Sequence, residues 1–128
     1  MTNPRELKYT KEHEWAKIAG TRLTVGITHY AQEALGDIVF VELPSVGDKV
    51  VAGETFGTVE SVKSVSDLYA PVSGEVVEAN GQVLDSPESM NTDPFGAAWL
   101  IVVEMANPEE AAQLLSAEEY EAFLAEQE

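Results

Sequence analysis

No cysteine occurs in the 128 residues. Disulfides, thiolate nucleophiles and cysteine-ligated metal or iron–sulfur centres are therefore excluded. Histidine is scarce, with only His13 and His29. Basic residues are few as well, 7 Lys+Arg against 23 Asp+Glu, for a formal charge of -16. A charge of that sign opposes phosphate backbones, which need Lys/Arg clusters, and anionic membrane surfaces. No apolar run approaches the roughly 18 residues of a membrane span. The stretch from Met1 to Trp15 has no apolar h-region, and its mixed charges do not read as a transit peptide. The expected compartment is the cytoplasm, with no nucleic-acid or membrane partner.

Catalytic constellations are missing too. His13-Glu14 begins like a zinc-protease motif, but position 17 is Lys, so the second His at i+4 is absent. His13 reads as a partly exposed structural residue. No nucleophile elbow, P-loop or dinucleotide fingerprint is present. The 23 acids offer no specific acid/base pair. No stand-alone enzyme is indicated and no metal site is expected.

What remains is a chain of ordinary hydrophobic content, 45%, and a length suited to one domain. Residues 14–18 and 22–27 read as strands around the turn Ala19-Gly20-Thr21. A short helix follows, with Thr28 as N-cap, Gly36 as terminator and Ala31, Ala34 and Leu35 as its buried side. Ile38-Val39-Phe40-Val41 reads as a strand buried on both faces. Short strands then alternate with the turns Gly47-Asp48, Ala52-Gly53 and Pro71-Val72-Ser73-Gly74. Residues 82–98 read as irregular, and Trp99–Val103 as a strong strand. Asn107-Pro108-Glu109-Glu110 offers an N-cap, Pro at N1 and Glu at N3, and Ser116-Ala117-Glu118-Glu119 repeats this capping-box pattern. The whole predicts a mainly β fold, a flattened β-sandwich or barrel, with a short N-terminal-half helix and C-terminal helices over about 107–126.

The charge is unevenly placed. All seven basic residues and nine acidic ones lie in residues 1–63; residues 64–128 hold 14 acids and no base. Lys63 is thus the last basic residue, and none separates it from Lys49. It sits in Gly57-Thr58-Val59-Glu60-Ser61-Val62-Lys63-Ser64-Val65-Ser66-Asp67, a small polar apex between β-rich arms. A faint repeat flanks it, Gly47-Asp48-Lys49-Val50 against Ser73-Gly74-Glu75-Val76. That symmetry predicts two similar half-sheets meeting at a hairpin tip near residue 63. A solvated turn lysine is the plain reading. The alternative is an amine presented for covalent modification, with small neighbours giving access.

The ordered series of motifs resembles the lipoyl/biotinyl carrier fold and, more narrowly, the glycine cleavage H-protein family. The matching residues begin with Lys8-Tyr9, His13-Glu14-Trp15 and Val25-Gly26-Ile27-Thr28. Next come Leu35-Gly36-Asp37 and Val39-Phe40-Val41-Glu42-Leu43-Pro44. The centre is Gly57 to Lys63 with Ser66-Asp67, then Ala70-Pro71-Val72-Ser73-Gly74-Glu75-Val76 and Asn80. Asn91, Pro94 and Trp99-Leu100 fit the closing segment. The resemblance implies a single carrier domain over 1–128 with a hammerhead-type core at about 37–105.

It also implies lipoate attached to Lys63 as N6-lipoyl-lysine, with Glu60 and Gly74 in lipoylation recognition. Glu14 and Asp67 match positions associated with the docked, loaded arm, and Glu12 is a weaker candidate. A solvated strand Glu and a turn Gly are the plain readings of Glu60 and Gly74. Some relatives carry a His where this chain has Ala34. The implied partners are a lipoate-attaching enzyme, the PLP-dependent glycine decarboxylase (P protein), the tetrahydrofolate-dependent aminomethyltransferase (T protein) and dihydrolipoamide dehydrogenase (L protein). The implied task is to carry an aminomethyl group between P and T proteins. A biotin carrier is disfavoured because Lys63 lies between Val62 and Ser64 rather than between methionines. A lipoyl domain of a 2-oxoacid dehydrogenase typically adjoins a flexible linker, which is not seen here. An unmodified acidic binding module is the rival from another class. The net charge is expected to steer the chain toward basic-rimmed partners.

Overall fold

A computed structural model describes residues 3–127. The expected span of 1–128 thus includes residues 1, 2 and 128, which lie outside the described part. The strands are β1 Lys8–Tyr9, β2 Glu14–Ala19, β3 Arg22–Ile27, β4 Ile38–Glu42, β5 Lys49–Val50, β6 Thr55–Ser61, β7 Val65–Tyr69, β8 Gly74–Ala79 and β9 Ile101–Met105. The helices are α1 His29–Leu35, α2 Gly81–Asp85, α3 Ser89–Thr92 and α4 Ala117–Gln127, with a 3-10 segment at Pro108–Gln113. A six-stranded sheet runs β1-β2-β3-β9-β8-β5, and a three-stranded sheet runs β4-β6-β7. Every strand pairing is antiparallel.

Alternation explains the sandwich. Leu23, Val25 and Ile27 of β3 meet Val76, Ile101 and Val103 from the large sheet and Val41, Val59 and Leu68 from the small one, in one buried cluster. Burying such side chains is worth about 1.5–3 kcal/mol each, so this shared layer holds the sheets face to face. A satellite cluster of Leu7, Tyr9, Trp15, Ala117 and Tyr120 seats α4. Tyr9 and Tyr120 stack with ring centroids 4.9 Å apart. The capping box predicted at Ser116 forms: Glu119 N donates to Ser116 Oγ, and Ser116 N donates to the Glu119 carboxylate.

Several expectations need correction. Ile38–Val41 is not buried on both faces; Val39 and Phe40 are exposed, and a register irregularity falls between Ile38 and Phe40. The bulge turns an apolar run outward. On α1, Gln32 is the buried residue and Ala34 is exposed. Gln32 is tolerated inside because Asn91 Nδ2 donates to its carbonyl at 3.0 Å. Residues 82–98 are not wholly irregular, since α2 and α3 lie there; Asn80 caps α2 by accepting from Gln82 N. Gly74 opens strand β8 instead of ending a turn. The repeat segments do not build two half-sheets: they pair with each other, Lys49 opposite Glu75 and Val50 opposite Gly74, at the edge of the large sheet. The hairpin near residue 63 does form, as β6–β7 in the small sheet.

Candidate functional site

The β6–β7 hairpin closes over Val62, Lys63 and Ser64. Small polar side chains shape the turn: Ser61 N donates to Ser64 O at 2.8 Å, and Ser61 Oγ accepts from Ser64 N at 3.1 Å. Lys63 is exposed at this tip. Among the described residues its Nζ makes no hydrogen bond or ion pair. Its amine therefore needs no partner removed before it can react.

The tip rests on the end of α1. Val62 N donates to Asp37 O at 3.0 Å. Gly36 terminates α1 at φ 83, in the left-handed region, and donates to Gln32 O. A Cβ added at Gly36 would lie 3.2 Å from Lys63 Cε, so the lysine stem passes directly over this glycine. Asn91 of α3 pins the seat from below. Its Nδ2 donates to Gly36 O at 2.9 Å as well as to Gln32 Oε1, while its Oδ1 accepts from Ile38 N at 2.9 Å. From the sequence, Asn91 stands out only as part of a matching segment. Its supporting role depends on a contact across more than fifty residues, which no local pattern reveals.

Glu60 lies in β6, opposite Phe40 on one side and Val65 on the other, and is partly exposed. Gly74 is buried in β8, and a Cβ there would run into Glu104 O and stand 2.7 Å from Val103 Cγ1. Close approach of β9 thus demands glycine at this position. Asp67 is exposed in β7, opposite Thr58. Glu12 is exposed.

Glu14 differs from the other acids. It is 2% exposed, and both carboxyl oxygens are engaged: one accepts from Thr10 Oγ1 at 3.1 Å, the other from Tyr69 N at 2.7 Å. Tyr69 ends β7, an edge strand of the small sheet, so Glu14 of β2 joins the two sheets. Burial pushes its pKa up to about 8, against the lowering effect of those two hydrogen bonds. Asp67 lies two residues before Tyr69, the residue whose N–H holds Glu14. No hydrogen bond links them among the described residues. Beside Glu14, His13 adopts φ 68 and its Nδ1 lies 2.8 Å from Tyr120 Oη, whose oxygen is 2.9 Å from the α1 cap Thr28 Oγ1. Burial lowers the His13 pKa. His13 is thus a structural link between α4 and α1.

No described helix is long and apolar enough to cross a membrane. A family model described as glycine cleavage H-protein matches residues 7–127. The glycine cleavage system H protein of Carboxydothermus hydrogenoformans is 56% identical over 124 residues, covering 97% of this chain and 95% of that one. That of Staphylococcus saprophyticus is 55% identical over 126 residues, covering 98% and 100%. A crystal structure of a glycine cleavage system H protein from Mycobacterium marinum superposes with a TM-score of 0.89 at 47% identity, over 96% of this chain and 99% of that one. With a matched family model, near-complete relatives and the same two-sheet fold in agreement, the chain belongs to the glycine cleavage H-protein family, a carrier component of that system and not an enzyme by itself.

Proposed function

We propose that the chain works as one lipoyl-carrier domain, with lipoate joined to Lys63 as N6-lipoyl-lysine. It would receive an aminomethyl group at P protein, deliver it at T protein and be returned to its starting oxidation state by L protein, in the cytoplasm. The observation that carries this reading is the lysine itself. Lys63 stands exposed at the tip of the β6–β7 hairpin, its stem laid over Gly36, with Nζ unpartnered among the described residues. The bound group would supply the dithiol/disulfide chemistry, and the partner enzymes' cofactors the bond making. This chain supplies the tether, which keeps the arm at raised effective concentration between successive encounters.

Glu60 and Gly74 are assigned to recognition by the lipoate-attaching enzyme. Gly74 acts there through the backbone path it permits, because it is buried. Glu14 and Asp67 are assigned to the docked arm. A cationic amine brought close to Glu14 favours the ionised carboxylate, and attraction is strong where water is excluded. Asp67 adds an exposed carboxylate on the same strand region. Glu12, exposed and without a side-chain hydrogen bond among the described residues, is the lesser contributor.

The test is direct. Incubation with a lipoate–protein ligase, ATP and lipoate should add the mass of one lipoyl group to the wild-type chain and none to Lys63→Arg. An unmodified wild type, or a modified Lys63→Arg, would overturn the assignment. The docking roles are tested separately by loss of the aminomethyl cargo to water. Glu14→Ala and Asp67→Ala should each speed that loss; unchanged rates remove them from the proposal.

A further inference from the structure

The outer face of the small sheet carries exposed apolar side chains, Phe40 and Val65, to which the carrier reading gives no role. Directly opposed residues in an antiparallel sheet point to the same face. Register places Phe40, Glu60 and Val65 in one lateral row, and Glu42, Thr58 and Asp67 in the next. The row between them contains Val41 and Val59, which are buried, so the first two rows face outward. Phe40 is 46% exposed, Val65 66%, and the flanking Val39 and Val62 are 53% and 68%. Four exposed apolar side chains gathered beside one hairpin tip form a candidate interaction surface. It adjoins Lys63, since the Phe40–Glu60–Val65 row is the last outward row before the hairpin tip.

We infer that this Phe40–Glu60–Val65 row is the docking surface for the enzyme that attaches the arm to Lys63, an inference that rests on the lipoyl-lysine reading above. Reach selects the occupant. An unmodified lysine extends only four methylenes from its Cα. An enzyme acting on its Nζ must therefore bring its own surface against the tip and the outward row beneath it. Enzymes that act on the far end of an attached arm meet a longer tether and are released from that contact. Charge selects the partner's chemistry. No Lys or Arg stands in β4, β6 or β7, whereas Glu42, Glu60 and Asp67 do. The matching surface offers apolar contacts to Phe40 and Val65 on either side of an Arg or Lys that meets Glu60, with further basic groups toward Glu42 and Asp67.

The experiment uses the full chain, lipoate, ATP and a lipoate–protein ligase, with initial rates of attachment read by intact mass. Phe40→Ser combined with Val65→Ser should raise the apparent KM for the chain about tenfold, the effect of losing one modest apolar anchor, with kcat within about twofold. Glu42→Lys should also raise KM and flatten its dependence on salt. Ile18→Ser, an exposed apolar residue of the large sheet, should leave KM unchanged. Each variant, once fully loaded at high ligase concentration, should be reduced by dihydrolipoamide dehydrogenase within about twofold of wild type. Unchanged attachment KM in the double variant overturns the inference while leaving Lys63 as the carrier site. An equal loss in attachment and in reduction overturns it too, since the patch would then serve no partner selectively. A wild type that takes no lipoate at Lys63 removes the carrier reading, and this inference with it.

Discussion

Replacing Glu14 by Gln isolates one buried proton. The wild-type carboxyl is 2% exposed and its pKa is raised by burial from 4.5 to about 8. The folded protein thus holds a proton that the unfolded chain releases above about pH 4.5. Stability from this group is complete below the unfolded value and is lost as pH rises through about 8. A one-proton difference limits the slope to about 1.4 kcal/mol per pH unit, and the loss over the whole window is on the order of a few kcal/mol. Glutamine matches the neutral carboxylic acid in shape. Its carbonyl can accept from Tyr69 N, and its amide can donate toward Thr10 Oγ1 once that hydroxyl rotates. At pH 5 the two proteins should therefore differ by less than about 1 kcal/mol. By pH 9 the Gln protein should be the more stable, by several-fold more than at pH 5. Urea unfolding from pH 5 to 9.5 at fixed ionic strength measures this. Groups common to both proteins, including His13, cancel in the difference. Parallel stability curves would refute the reasoning, because they would mean that Glu14 holds no extra proton in the folded state.

Two further substitutions probe the supports of the site. Gly74→Ala should destabilise by about 3 kcal/mol, because the added Cβ meets the Glu104 carbonyl and β8 must move off β9; an unchanged urea midpoint would contradict it. Asn91→Ala removes three hydrogen bonds under the α1–β4 junction and should cost about 2–4 kcal/mol. It should also speed amide exchange at Val62, whose N–H is held by Asp37 O. Equal exchange in variant and wild type would show that the tip does not depend on Asn91.

Local chemistry made much of this fold legible. Thr28 and Gly36 bracket α1, Ser116 and Glu119 form their box, and the turn at Gly20 joins β2 to β3, because caps and turns are decided by neighbours in sequence. The hairpin around Lys63 was readable for the same reason. Periodicity failed where tertiary pairing decides. A run of four apolar residues looks doubly buried, yet a bulge sends Val39 and Phe40 outward. Gly74 looks like a turn residue until β9 is seen to need its missing side chain. Asn107-Pro108-Glu109-Glu110 promised a capping box, and Asn107 does cap, but the Glu110 carboxylate accepts from Ser73 N and Oγ instead. Glu14 is legible in the sequence as an acid of the matching segment, but its burial and its bond to Tyr69 come from two sheets meeting, which sequence spacing does not encode.

The central claim is that Lys63 is the carrier residue, and the charge asymmetry of the chain makes it simple to test. Trypsin cuts after unmodified lysine, and no Lys or Arg follows residue 63. A complete digest of the unmodified chain therefore yields fragments 50–63 and 64–128. After incubation with ligase, ATP and lipoate, blocking of Lys63 should leave fragment 50–128 uncut and heavier by one lipoyl group. Fragments 50–63 and 64–128 persisting in full, with the added mass absent or on another lysine, would contradict the account.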